Sequence, residues 1–460
     1  MLTKGRVTLL LIVALLLISA IPVSAGGPDP TGTATAQANP TARINFSWTL
    51  IAAFLVFFMQ AGFALVEAGF ARTKNTVNIL TKNFMDFCIG GLAFWAFGFA
   101  LMFGGSALAS GLDRGNSFIG FSGFFLSGEA YDVSTAVLWF FQMVFAATTA
   151  TIVSGAMAER TKITSYMAYS FLISAIVYPI FGKWVWGGGW LGSLPFGAGA
   201  RDFAGSGVVH SIGGLVALTG AWMVGPRLGK FNKDGTPNAI PGHNIAYVVL
   251  GTFILFFGWF GFNPGSTMAA TDLRIGMIAV NTFLAGVAGA VTAVYYSLWR
   301  TGRADITLAA NGSLAGLVGV TASCAYIAPW AAVVIGAIAA LLMIASVSLV
   351  EKRLKVDDPV GAVSVHGAGG LWGLLAVGIF ADGSYQNVAG LIAGNPGQLV
   401  AQLITMATAL VWGLGMGYLV FALLKSTMGL RASKKEEIEG LDRTEHGMDC
   451  YVFGRSEDAA

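Results

Sequence analysis

The chain has 460 residues, of which 55% are hydrophobic and only 11% charged, against roughly 25% charged in an ordinary soluble domain. The mean hydropathy of +0.72 and net charge of +3 leave too few charges to cover a soluble surface and too small an excess for a polyanion partner. A cytosolic globular enzyme, a disordered chain and a nucleic-acid binder are thereby excluded. The 62 glycines follow no Gly-X-Y period and suit tightly packed membrane helices instead. Cys88, Cys324 and Cys450 are too far apart in sequence to suggest a disulfide framework or a zinc site.

From the N-terminus, residues 1–25 read as a secretory signal peptide. Lys4 and Arg6 precede an apolar run from Val7 to Pro22, and Val23-Ser24-Ala25 is a small-x-small cleavage site. Residues 26–45 form a polar, flexible extracytoplasmic lead-in, 46–424 a membrane domain and 425–460 a cytoplasmic tail. A spanning helix needs about 20 mostly apolar residues. Eleven segments qualify: 46–70, 83–104, 133–157, 163–182, 207–225, 245–262, 275–298, 307–322, 328–350, 362–381 and 398–424. With the N-terminus outside, 19 Lys and Arg fall on the cytoplasmic side and 5 outside, the bias expected of this orientation in a cell membrane.

Residues 202–215 (DFAGSGVVHSIGGL) and 358–371 (DPVGAVSVHGAGGL) share seven of fourteen residues at the same offsets. The two copies open spans five and ten, which run in opposite directions, so the chain reads as a 5+5 inverted repeat with a site near the midplane. In each copy the histidine lies eight residues after the aspartate, about 12 Å in at 1.5 Å per residue. His210 and His366 are thus expected to meet inside a core about 30 Å thick. Intramembrane ionisable groups point to function by default, and paired imidazoles can share and pass protons. A metal would need further ligands, and nothing else suggests a haem slot. Asp202 and Asp358 are each readable as helix caps. Asp202 is equally readable as the shaper of a cation-attracting vestibule. Glu67 reads as an ion-pairing or snorkelling residue near Arg72 and Lys74, Asp86 as a cap or packing contact, and His243 as a solvated loop residue.

The stretches MQAGFALVEAGFARTKNTVNI (59–79), FQMVFAATTATIVSGAMAER (141–160), WGGGW (186–190), DFAGSGVVHSIGG (202–214), GWFGFNPGS (258–266), VDDPVGAVSVHGAGGLWG (356–373) and GLDRTEHG (440–447), in this order, resemble the ammonium transporter family (Amt/Mep/Rh). The resemblance runs from span one to the tail, with no large insertion and no appended signalling domain in view. It implies an all-α polytopic membrane protein of eleven helices, assembled as a homotrimer in the lipid bilayer with one pore per subunit. It places the paired pore histidines on His210 and His366, the outer recruitment site on Trp186, Phe141 and Ser266, and the pore-closing phenylalanines on Phe145 and Phe262. Asp202 then supports the outer site. Ammonium and ammonia are the implied substrates and a trimeric PII signal protein the implied cytoplasmic partner. No cofactor or metal is implied.

Physics gives these assignments sense. Aromatic faces attract ammonium and potassium alike, so selection requires what only ammonium can do, which is to donate hydrogen bonds and shed a proton. An apolar constriction bars a bare ion far more strongly than neutral ammonia. A passive ammonia channel and an ammonium sensor with little flux are the alternatives.

Overall fold

A computed structural model describes residues 29–451. The expected signal peptide, residues 1–25, lies outside these residues, as does the end of the tail. The described chain is helical, its only β-type contacts being isolated bridges. Ten helices are long and apolar enough to cross a bilayer: α1 (Ala42–Phe70), α2 (Thr73–Phe103), α3 (Val133–Ala156), α4 (Ile163–Val185), α5 (Ser206–Val224), α6 (Ile245–Thr267), α7 (Arg274–Thr301), α9 (Pro329–Arg353), α10 (Val363–Phe380) and α11 (Pro396–Thr427). Between α7 and α9 lies α8 (Ile306–Thr321), whose 16 residues extend only about 24 Å at 1.5 Å each. The segments read from the sequence all reappear, with α2 starting ten residues early. That extension takes in Lys82, which is buried and donates its ammonium to the Thr161 carbonyl.

Local chemistry fixes the helix starts. Asp132, Asn244, Asp305 and Asn395 place a side-chain oxygen on the free N–H groups opening α3, α6, α8 and α11. The lead-in is structured within its described part, with a short helix at Thr33–Ala38 and a hydrogen bond from Val133 N to the Asp29 carbonyl.

The two halves pack through glycine. A Cβ at Gly251 would lie 2.6 Å from the Gly62 carbonyl oxygen, and one at Gly261 would lie 2.4 Å from that of Ala52, so α1 and α6 touch nearly backbone to backbone. At the centre α5 and α10 do the same: a Cβ at Gly214 would meet Gly367 N at 2.2 Å, and one at the matching Gly370 would meet the Ser206 carbonyl oxygen at 2.3 Å. α3 packs against α1, α2 and α5.

One face carries a buried ion cluster. Glu159 pairs with Arg72 and Arg227, and Arg227 also grips Asp357 through Nε at 2.9 Å and Nη2 at 3.0 Å. Burial would raise the Asp357 carboxyl, but the hydrogen bonds from Arg227 and the nearby charges of Arg160 and Arg227 outweigh it and hold the group at about 2. The tail folds onto this face as α12 (Lys434–Glu439) and α13 (Leu441–His446). Asp442 accepts from Asn78 N at the start of α2, and Glu445 from Ile163 N at the start of α4. His243, expected in solvent, is held here between the Ala71 carbonyl and the Tyr451 hydroxyl, each 2.9 Å away.

The close crossing of α5 and α10 yields a test. Gly214→Ala should destabilise the protein by roughly 1–3 kcal/mol, because backbone must shift to admit the methyl. Gly415→Ala on α11, where a Cβ would meet nothing within 4 Å, should not. Melting temperatures of the two purified variants check the difference.

Candidate functional site

The two copies of the repeat build one structure twice. Asp202 accepts from Gly205 N at 2.9 Å, Gly207 N at 2.8 Å and Val208 N at 2.9 Å. Asp358 accepts from Gly361 N at 3.0 Å and Val363 N at 2.8 Å. Both are therefore caps. Three residues beyond each aspartate stands a glycine with positive φ, Gly205 at 116° and Gly361 at 79°, which turns the chain into its helix. Each helix then opens with a π-helical turn, Ser206–Ser211 and Val363–Ala368, that carries the histidine. The two turns meet. His210 and His366 lie with Nδ1 atoms 3.1 Å apart and rings stacked at 5.1 Å and 21°. Only one of the facing nitrogens can carry the shared proton, so one ring donates and the other accepts.

The pair sits in an aromatic column. His210 stacks on Trp259 at 5.2 Å and on Phe262 at 5.3 Å, and Phe63 lies 6.1 Å from His366. Trp259 is fixed by its indole N–H, which donates to Thr321 Oγ1 at 2.9 Å. Phe262 in turn stacks on Phe145 with centroids 4.2 Å apart, and both side chains are buried.

Beyond Phe145, on the face opposite the tail, lies a vestibule of about 300 Å³. Phe141, Trp186, Ser266, Phe145 and Asp202 all line it. The rings of Phe141 and Trp186 stand 4.8 and 6.3 Å from that of Phe145. The Trp186 indole N–H donates to the Asp202 carbonyl at 2.6 Å, so the aspartate that caps α5 also sets the tryptophan. The Ser266 hydroxyl donates to the Phe262 carbonyl at 2.7 Å, which commits its hydrogen and leaves its lone pairs as acceptors. Burial pushes the Asp202 carboxyl up to about 6, against the opposing pull of the Val208, Gly207 and Gly205 amides. Gln142, within the quoted stretch 141–160, and Arg201 also line the vestibule, and the sequence assigned neither a role. Among the described residues no cluster of three or more His, Cys, Asp or Glu is placed to hold a metal.

Below the histidines a second cavity of about 20 Å³ is lined by His366 and Glu67. Glu67 neither pairs with Arg72 nor snorkels. It is 3% exposed and accepts from Ser154 Oγ at 2.8 Å and Asn83 Nδ2 at 3.1 Å, while Arg72 is engaged by Glu159. Asp86 is a buried residue of the α2 interior, not a cap, and takes hydrogen bonds from the Thr151 and Ser170 hydroxyls. Its side-chain contacts are nevertheless with neighbouring helices, as a packing role requires.

Comparison with known proteins places this architecture. Residues 47–451 match the Ammonium Transporter Family. The ammonium transporter Amt2 of Archaeoglobus fulgidus is 51% identical, over 97% of this chain and 95% of its own. Ammonium transporter 1 member 3 of Solanum lycopersicum is 39% identical, over 92% and 96%. Among solved structures, a Sensor Amt Protein superposes with a TM-score of 0.81 at 41% identity, covering 89% of this chain and all of the other. Mep2 of Candida albicans gives 0.77 at 28% identity, covering 86% and 87%. By sequence along nearly its whole length, and by fold, this chain is a multi-pass membrane protein belonging to the ammonium transporter family.

Proposed function

We propose that the protein recruits ammonium in the vestibule, deprotonates it there, conducts ammonia past the phenylalanines and histidines, and passes the proton along the histidine pair. The observation that carries this reading is the Nδ1 to Nδ1 contact of His210 and His366 directly behind the closed Phe145–Phe262 stack. Phe141 and Trp186 attract the cation by their ring faces, and the free lone pairs of Ser266 accept an ammonium N–H. Asp202 supplies negative charge beside them without being a direct ligand. Phe145 and Phe262 leave no polar partner for an ion, so crossing as a cation is costly and crossing as ammonia is not. The histidines then offer hydrogen-bond partners in an otherwise apolar lumen. A proton arriving at the outer nitrogen of one ring moves across the shared bond and leaves from the outer nitrogen of the other.

The vestibule is placed outside and the tail in the cytoplasm, a reading supported by the 19 to 5 distribution of Lys and Arg. Large apolar side chains such as Phe253, Leu273 and Trp299 are exposed, and a bilayer and the neighbouring subunits of a homotrimer would cover them. A PII protein is the proposed cytoplasmic partner. A sensor with little flux is the second reading, favoured by the likeness to the solved Sensor Amt Protein.

Purified protein in liposomes should give a current on ammonium addition. Ammonia permeation without current would indicate a passive gas channel, and neither flux nor current would favour sensing. His210→Ala and His366→Ala should each leave the fold intact while abolishing flux or lowering ammonium selectivity over potassium by roughly tenfold or more, about 1.4 kcal/mol. Wild-type selectivity in both variants would refute the pore assignment.

Asp202 gives a pH dependence. Its folded value stands above the ordinary 3.8, so the group takes up a proton, and loses its negative charge, as pH falls through about 6. The KM for ammonium should therefore rise on the acid side of pH 6. Asp202→Asn should show a raised KM that no longer changes across that range.

A further inference from the structure

We propose that Glu67 is the proton acceptor on the cytoplasmic side of the histidine pair, reached through one water molecule. The inference rests on the transport reading above and names the group that receives the proton after His366.

Three observations carry it. First, His366 and Glu67 line the same cavity, and its volume of about 20 Å³ is enough for one water. Apart from Asn311, whose amide N–H donates to the Val360 carbonyl at 3.1 Å, the other side chains of its wall are apolar, Phe63, Ile152 and Leu314 among them, so His366 and Glu67 are the ionisable partners such a water would meet. Second, the hydrogen bonds of Glu67 converge on one oxygen. Oε2 accepts from Ser154 and Asn83, whereas Oε1 has no hydrogen-bond partner among the described residues. Third, among the described residues no cation pairs with this buried carboxyl. The nearest candidates are engaged elsewhere: Lys82 donates to the Thr161 carbonyl, and Arg72 pairs with Glu159. Asp86, the other buried acid on the packed helices, is held by Thr151 and Ser170. An unpaired acid within a membrane helix is costly to keep unless it acts. Stability alone would be served as well by glutamine, whose amide oxygen could take the same two hydrogen bonds.

The step balances simply. When a proton has crossed from His210 to His366, the outer N–H bond of His366 breaks and its proton passes to the water. The water gives one of its own protons to Glu67 Oε1, forming the carboxylic acid. Glu67 stands in the last turn of α1, beside the tail face, from which the acid releases the proton to cytoplasmic water and regains its charge.

Glu67→Gln separates this role from a structural one, since it retains shape and hydrogen bonds but cannot take up a proton. In liposomes, the ammonium-evoked current should fall about a hundredfold, the low end of what a positioned proton acceptor contributes. Glu67→Asp should recover part of it. A second measurement needs no variant: on ammonium addition, the infrared difference spectrum of the wild-type protein should contain a carboxyl C=O band that shifts when glutamate is labelled with 13C. A Glu67→Gln current equal to wild type, or the absence of a glutamate band, would overturn the inference and leave the transport reading standing. A wild-type protein that carries no current would overturn both.

Discussion

The hydrogen bond between His210 and His366 is the constraint around which the rest of the molecule is arranged. Two imidazoles can come within 3.1 Å only if the helices that bear them cross almost without side chains between them. Gly214 against Gly367, and Gly370 against Ser206, provide that approach. The helices must also start within the protein, where their free N–H groups have no water to satisfy them. Asp202 and Asp358 satisfy them instead, and Gly205 and Gly361 supply the backbone conformation that lets the capped turn form. Aspartate, glycine, histidine and glycine pair thus form one device: cap, turn, functional group and close contact.

The device is symmetric in backbone and asymmetric in surroundings. Above His210 lie Phe262 and Phe145, then a vestibule with room for many waters. Below His366 lies a cavity with room for one, with the Glu67 carboxyl in its lining. Asp202 has a second task that Asp358 lacks, because its own carbonyl takes the Trp186 indole N–H. An inverted duplication gives the two histidines; divergence around them gives an aromatic vestibule on one side and a small cavity on the other.

The opposite end is held by charge. Glu159, Arg227, Asp357 and Arg72 lock the ends of several helices together where they leave the apolar region, and the tail adds carboxylates that cap α2 and α4. Asp442 and Glu445 serve as helix caps supplied from far along the chain. That arrangement ties the tail to the same two helices that carry Asn83, Asp86 and Ser170.

Much of this was legible in the sequence, because bilayer thickness converts directly into runs of apolar residues and because the repeat carries its aspartates, histidines and glycines on matching offsets. The spans, the inverted repeat and the depth of His210 and His366 follow from that arithmetic. Glu67 shows where it ended. In sequence it stands five residues from Arg72, and proximity along the chain suggested an ion pair. In three dimensions α1 turns it towards Ser154 and Asn83, and Arg72 is claimed by Glu159 from another loop. His243 was misread for the same reason: its partner Tyr451 is distant in sequence. Hydrophobic periodicity and repeat spacing are properties of one segment at a time, so the sequence determines them alone. Which buried polar groups pair, and which carboxyl is left facing a cavity, depends on how segments from tens to hundreds of residues apart are brought together, and only the tertiary structure decides that.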